Sequence, residues 1–279
     1  MDFTEALFAI ADAVEQNNRA QDGDHVKDGL IYCHKCNTPK QHRLKLRGVE
    51  TIVPCTCKCR QAELEAERQA IAEQARLQRI REIRKVGFPD AEMQFCTFDR
   101  DDRSNEKLSD IATKYVEHFD EMLTRSKGLL LYGTVGTGKT FISACIANAL
   151  MDRGYPCLVT NFARLINTIS GMYDGKQAYI DGLSRFDLLV IDDLYAERDT
   201  EYMGEMVQNI IDSRYRSGKP LIVTTNLTKA DLMQPTDIRK KRIYSRLFEM
   251  CFPFEVKGMD RRKQILKEED KDLKDLLGI

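Results

Sequence analysis

The residues best equipped for chemistry in this chain run from Gly133 through Thr134, Val135, Gly136, Thr137, Gly138 and Lys139 to Thr140, and they fit the pattern G-x-x-x-x-G-K-[ST]. Glycines let the backbone turn its N–H groups toward one point, and a helix that opens at such a loop adds its positive end, so the segment suits a phosphate. Lys139 is placed to reach the β- and γ-phosphates of a nucleoside triphosphate, and the Thr140 hydroxyl to ligate Mg²⁺. The apolar run Gly128–Tyr132 directly before the loop and the segment Phe141–Leu150 directly after it supply the strand and the helix that the motif requires. That context separates it from an ordinary glycine-rich turn, so ATP and Mg²⁺ are the expected ligands.

A second group of residues completes a phosphate-hydrolysing site. Leu188-Leu-Val-Ile-Asp-Asp193 is an apolar strand ending in two carboxylates, which belong at the carboxyl edge of a sheet beside the phosphate loop. Asp192 is the candidate for holding Mg²⁺ and Asp193 for polarising the attacking water. Leu221-Ile-Val-Thr-Thr-Asn226 ends another buried strand in polar residues; Asn226 either orients the water or caps the element that follows. Arg246, in Tyr244-Ser-Arg-Leu-Phe-Glu249, is either a solvated helix arginine or a cation delivered to a neighbouring subunit's γ-phosphate.

Five of the nine cysteines lie between positions 33 and 59. Cys33 and Cys36 form a C-x₂-C knuckle, and Cys55, Cys57 and Cys59 follow as C-x-C-x-C, the separation at which a small β-hairpin encloses a tetrahedral Zn²⁺. So short a segment has no apolar core of its own, and the metal would provide its fold. Five thiols compete for four positions. The favoured set is Cys33, Cys36, Cys57 and Cys59, with Cys55 as the alternative and His34 or His42 as substitutes; the spacing is not that of a ferredoxin cluster. The segment from Val26 to Arg60 is basic, with Lys/Arg at 27, 35, 40, 43, 45, 47, 58 and 60 against Asp28 and Glu50. Stacking aromatics for nucleic acid are sparse there, Tyr32 alone.

These residues must be positioned by elements that the remaining sequence outlines. The chain has 279 residues, 42% hydrophobic and 31% charged, enough for one medium domain and an appendage. It contains no apolar run long enough for a bilayer and starts without the basic and apolar stretches of a secretory signal, so a cytoplasmic, non-membrane protein is expected. Phe3 to Gln16 predicts a short amphipathic helix, and Gln61 to Lys85, rich in Ala, Glu, Gln and Arg without Gly or Pro, a long exposed one stopped by Gly87-Phe-Pro89. Beyond it, strands at Leu129–Tyr132, Cys157–Thr160, Leu188–Ile191 and Leu221–Thr225 alternate with helices at Phe141–Arg153, Ala163–Tyr173 and Tyr202–Ser217. Short, continuously apolar strands between helices predict an α/β fold: a parallel P-loop sheet flanked by helices. The expected organisation is an N-terminal helix and zinc-binding module over 1–60, a helical linker over 61–87, and an ATPase domain over 88–279.

The set formed by Gly133–Thr140, Ile191-Asp-Asp193, Thr224-Thr-Asn226, Ser245-Arg-Leu247 and Gly258-Met-Asp-Arg-Arg262 resembles the AAA+ ATPases of the DnaC/DnaI helicase-loader group, to which the transposition ATPase IstB also belongs. The resemblance covers roughly 88–267, including Cys96-Thr-Phe98 before a helix. It implies Walker A roles for Lys139 and Thr140, Walker B roles for Asp192 and Asp193, and a sensor 1 role for Asn226. Arg246 would be the arginine finger and Arg262 the sensor 2 arginine, with Arg261 one residue out of register. With a single helix expected over Lys263–Leu277, the domain would have little or no lid, as in trimmed loaders. The resemblance further implies an amino-terminal zinc region that engages a DnaB-type replicative helicase, self-association on ATP or helicase binding, and a neighbourhood around 162–175 that touches single-stranded DNA, with Arg164 and Lys176 as positional candidates. The function so implied is ATP-dependent delivery of a hexameric helicase to single-stranded DNA in replication initiation. The alternatives are an IstB-like transposition helper and a non-hydrolysing, nucleotide-gated DNA-binding module.

Overall fold

The computed structural model describes residues 20, 22–46, 48–194, 201–258, 260, 261, 274, 276 and 277. The helix expected over Phe3–Gln16, Arg262, and most of the helix expected over Lys263–Leu277 lie outside the described residues. The chain divides into two compact units, Met1–Leu77 and Gln78–Ile279. The division falls inside helix α1 (Lys58–Gly87), ten residues before the Gly87 at which the sequence suggested it.

The first unit holds two antiparallel hairpins. Strand β1 (His25–Lys27) pairs with β2 (Leu30–Tyr32), and β3 (Gln41–Leu46) with β4 (Val49–Pro54) in the register Gln41 to Pro54 through Leu46 to Val49. Ahead of α1, the buried residues among those described are Cys33, Lys40 and Cys57. Among the described residues, nothing resembling a hydrophobic core stabilises these hairpins.

The second unit is a five-stranded, wholly parallel sheet in the order β6-β7-β8-β5-β9, made of β5 (Gly128–Tyr132), β6 (Cys157–Asn161), β7 (Leu188–Asp192), β8 (Leu221–Thr225) and β9 (Cys251–Glu255). Side-chain alternation divides β5 between the two faces. Leu129 and Leu131 pack with α2 (Glu106–Glu117) and α4 (Lys139–Asp152), while Leu130 and Tyr132 face α5 (Phe162–Ser170), α7 (Glu201–Ser217) and α9 (Ile238–Met250). The short helices α3 (Phe119–Thr124), α6 (Lys176–Gly182) and α8 (Lys229–Met233) complete the layers. Burial on both faces is why the strands read as continuous apolar runs.

Two elements depart from the sequence reading. The helix expected over Ala163–Tyr173 starts one residue earlier and ends at Ser170: Asn161 caps α5 by accepting from Arg164 N–H, the chain turns at 171–175, and α6, absent from the sequence reading, starts at Lys176. Leu165, Ile166 and Ile169 are buried, as a crossover helix requires. Strand β9 has no counterpart in the sequence reading, because Pro253 argues against a strand. Its place at the sheet edge resolves this, since one side of β9 has no ladder for the missing N–H to break.

Candidate nucleotide site and cysteine centre

Strand β5 ends at Tyr132 and the phosphate loop turns directly into α4, whose first residue is Lys139. At Gly136, with φ +78°, a side chain would be strained, and its Cβ, 1.9 Å from Asp260 Oδ1, would push that carboxylate aside. Arg261 N–H closes the same turn by donating to Gly136 O at 3.0 Å. Lys139 is 5% exposed and donates to Gly133 O at 2.8 Å and Thr134 O at 2.7 Å, which curls its ammonium over the loop. A buried cation above a ring of backbone N–H groups is a donor set matched to phosphate oxygens.

The central strand β8 lies between β5 and β7 and thereby brings the acidic pair to the loop. Thr140 Oγ1 donates to Asp192 at 2.9 and 3.0 Å, and Thr224 Oγ1 donates to the same carboxylate. Burial pushes the Asp192 carboxyl above its ordinary range, and the two hydroxyls oppose that rise. A hydroxyl and a desolvated carboxylate in contact fit a divalent cation, which would restore the missing counter-charge. Asp193 has φ +54°, and its N–H donates to Thr224 Oγ1 at 3.0 Å. Its carboxylate stands 3.5 Å from Asn226 Nδ2 at the exposed end of the strands. Thr224, fully buried, therefore fixes the Asp192 carboxylate and the Asp193 backbone, a role that sequence reasoning missed. Its position two residues before Asn226 on a strand neighbouring β7 was the available signal.

Lys139, Thr140, Asp193, Asn226 and Val135 to Gly138 all line one cavity of about 650 Å³, whose other wall includes Glu92, Met93, Cys96 and Arg100. Arg261 lines it too, and its guanidinium donates to Asp102 at 2.6 Å and to Ser104. Arg262, the expected sensor, lies outside the described residues, so of the two sensor candidates Arg261 is the one seen at the cavity. Arg246 stands apart from it. On α9, its guanidinium pairs with Asp212 of α7 and lies 5.6 Å from the centre of the Tyr215 ring. Arg164 pairs with Asp90, and Lys176 is exposed at the start of α6.

The cysteine knuckle brings together Cys33, Cys36, Cys57 and Cys59, whose sulfurs all lie within 4.8 Å of one another. Tetrahedral Zn²⁺ with bonds of about 2.3 Å sets sulfurs about 3.8 Å apart. Here Cys33 to Cys59 is 3.4 Å and Cys57 to Cys59 is 3.3 Å. The thiols differ sharply in acidity. The Thr38 hydroxyl holds Cys36 down to about 5, whereas Cys59, sharing hydrogen bonds with Cys57 and Cys33, is pushed up to about 12. Four sulfurs this close do not all ionise without a cation among them, so the donor set fits a thiophilic metal. Cys55, the alternative ligand, is outside the cluster and donates to Pro39 O at 3.2 Å. Neither His34 nor His42 replaces a thiol in this four-sulfur group; His34 Nδ1 lies 3.2 Å from Asp24 Oδ1. Asp24, whose side chain has no exposed surface, also takes Lys40 Nζ at 2.6 Å.

A model of the family described as IstB-like ATP binding protein matches residues 62–268. The replicative helicase loader DnaC of Escherichia coli strain K12 is 28% identical over 140 residues, 49% of this chain and 55% of its own. The replicative helicase loader DnaI of Bacillus subtilis strain 168 is 22% identical over 180 residues, 60% of this chain and 58% of its own. The chain therefore spans little more than half the length of these curated relatives. A crystal structure of DnaI resembles the fold with a TM-score of 0.52 at 23% identity, over 61% of this chain and 95% of that one.

Proposed function

This chain belongs to the IstB-like ATP-binding protein family, and we propose that it is an ATP-dependent loader that delivers a hexameric, DnaB-type replicative helicase to single-stranded DNA. The observation that carries this reading is its similarity to two replicative helicase loaders, DnaC and DnaI. The nucleotide site is consistent with it. The backbone N–H groups of 133–140 and Lys139 bind the phosphates, and Thr140 with Asp192 holds Mg²⁺, which supplies charge neutralisation at the β- and γ-oxygens. Asp193, its backbone tied to Thr224, accepts a proton from the attacking water, which Asn226 helps to orient. Arg246 stabilises charge on a neighbouring subunit's γ-phosphate as the arginine finger, so the isolated subunit hydrolyses ATP slowly. Arg261 or Arg262 acts as sensor 2.

Cys33, Cys36, Cys57 and Cys59 hold Zn²⁺ and shape the module that docks on the helicase. Single-stranded DNA is bound by the oligomer, with Lys176 a contact candidate. A second reading, an IstB-like transposition helper, takes its support from the family's description and shares the same nucleotide chemistry. Asp193 and Asn226 beside the phosphate loop weigh against a module that never hydrolyses. The loader and the transposition helper separate on one experiment: size-exclusion chromatography with light scattering on the protein, a DnaB-type helicase and ATP. A stoichiometric complex, lost in the Cys33→Ser/Cys36→Ser variant, is expected of the loader. Absence of a complex with both ATP and ADP removes that function and favours the transposition helper.

A further inference from the structure

With phosphates assigned to the loop, the cavity's remaining wall, Glu92, Met93, Cys96 and Arg100, is left for the nucleoside. That wall is not part of the sheet. It consists of two single 3₁₀ turns, Ala91–Phe95 and Phe98–Arg100, closed only by local bonds such as Met93 N–H to Asp90 O and Cys96 N–H to Met93 O. Turns of this kind have poor intrinsic stability and hold their place through side-chain anchors.

Arg164 pairs with Asp90 just before the first turn, and a second anchor comes from α4. Asn148 is 2% exposed in the middle of α4, and its Nδ2 donates to Met93 O at 2.9 Å and Cys96 O at 2.7 Å. A carboxamide has a donor end and an acceptor end, and a third group decides which end faces the turns. Here that group is Arg84, which can only donate, with Nη1 2.8 Å from Asn148 Oδ1. Arg84 is itself fixed through Nη2 to Asp152 Oδ1 at 2.6 Å. Three residues on, Gly87 lies so close to the sheet that a Cβ would stand 2.4 Å from Cys157 O, and Phe88 is buried beside it. The end of α1 is thus seated with no free play, and Arg84 holds the amide's acceptor end away from the two carbonyls.

We infer that Arg84 and Asn148 are positioning residues for the nucleoside half of the ligand, setting the wall at 92–100 through the Met93 and Cys96 carbonyls. The inference rests on the nucleotide-binding part of the proposed function and is independent of which partner the protein serves. Neither residue lines the cavity, so both act through the turns. Loss of the pair frees the wall while leaving the phosphate loop, held by Gly136, Arg261 and Asp260, as it is.

Isothermal titration of the full chain with ADP and, separately, with inorganic tripolyphosphate, both in Mg²⁺, separates the two halves of the site. In Arg84→Ala and in Asn148→Asp, which turns the donors into acceptors facing two carbonyls, ADP affinity falls about tenfold while tripolyphosphate affinity stays within about twofold. Circular dichroism melts identify the variants that fold, and Arg84→Ala, at a half-exposed position, carries the test if Asn148→Asp does not. Unchanged ADP affinity in folded Arg84→Ala overturns the inference. So does a parallel loss for ADP and tripolyphosphate, which would make the pair a general support of α4. A wild-type protein that binds neither probe overturns the nucleotide-binding reading itself.

Discussion

Asp192 combines two demands that conflict. It must be charged to hold a cation, yet it is largely desolvated, and the Thr224 and Thr140 hydroxyls and the Lys139 charge compensate only in part. Replacing it with Asn keeps the shape and removes the buried charge, so Asp192→Asn should raise the melting temperature without Mg²⁺ by a few degrees, on the order of 1 kcal/mol, while abolishing ATP hydrolysis. The sign depends on pH. Because burial raises this carboxyl's pKa in the folded state, the charged form costs its full stability penalty above that raised value, and the two proteins converge as pH falls from it to the ordinary carboxylate value of the unfolded chain. Differential scanning fluorimetry across pH reads this directly; equal melting temperatures at neutral pH would contradict it. At the cysteine knuckle, zinc stoichiometry measured by metal analysis should be intact in Cys55→Ser and lost in Cys57→Ser, because Cys55 lies outside the sulfur cluster. Retention in both would move a ligand elsewhere. At this scale the phosphate loop and the acidic pair were legible because motif and context coincide on neighbouring residues. Thr224, Asn148 and Arg84 were not, since their partners lie 32, 52 and 64 residues away and nothing in local spacing reveals them.

Helices α7 and α9 run together on one face of the sheet, joined by Arg239 with Glu201 and by Arg246 with Asp212. The second pair is the more consequential, since Asp212 is mostly buried and Tyr215, one turn on, stacks against the same guanidinium. An arginine held this way within its own chain is available to a neighbour only when the pair opens or turns outward. Arg246→Ala should therefore leave nucleotide affinity within about twofold but lower the concentration-dependent part of ATP turnover by roughly 10³-fold. Turnover measured against protein concentration, with single-stranded DNA present, tests this; a variant with unaltered turnover would remove Arg246 from the reaction. The elements themselves were largely legible, because strands buried on both faces leave unbroken apolar runs and α1 lacks every helix breaker. What misled was local chemistry overridden by position: Pro253 in edge strand β9, and a crossover segment interrupted at 171–175.

The two units of the molecule are stabilised by different physics, and this has a thermal signature. The unit Gln78–Ile279 has extensive apolar layers on both faces of its sheet. The unit Met1–Leu77 has hairpins whose strands are mostly exposed, with Val26, Leu44, Val49 and Ile52 all in contact with water, and among the described residues those buried ahead of α1 are two cysteines and a lysine paired to Asp24. Hydrophobic burial stabilises the former, whereas a metal held by the four clustered thiols would stabilise the latter. Each unit should then answer to its own ligand. Chelation of zinc should abolish the hairpins' protection from protease and leave the melting temperature of the ATPase unit unchanged. Saturating ADP and Mg²⁺, at about a hundred times the dissociation constant, should add about 2.7 kcal/mol to the ATPase unit alone, a rise of roughly 5–10 °C. Calorimetry of the full chain under the four combinations of metal and nucleotide, with limited proteolysis to assign each transition, makes the comparison. Independent responses mean that zinc serves the docking module and contributes nothing to folding of the nucleotide site. If chelation instead lowered the ATPase transition, the hairpins and the sheet would fold as one cooperative body, and loss of helicase docking in a cysteine variant would no longer assign docking to the zinc module.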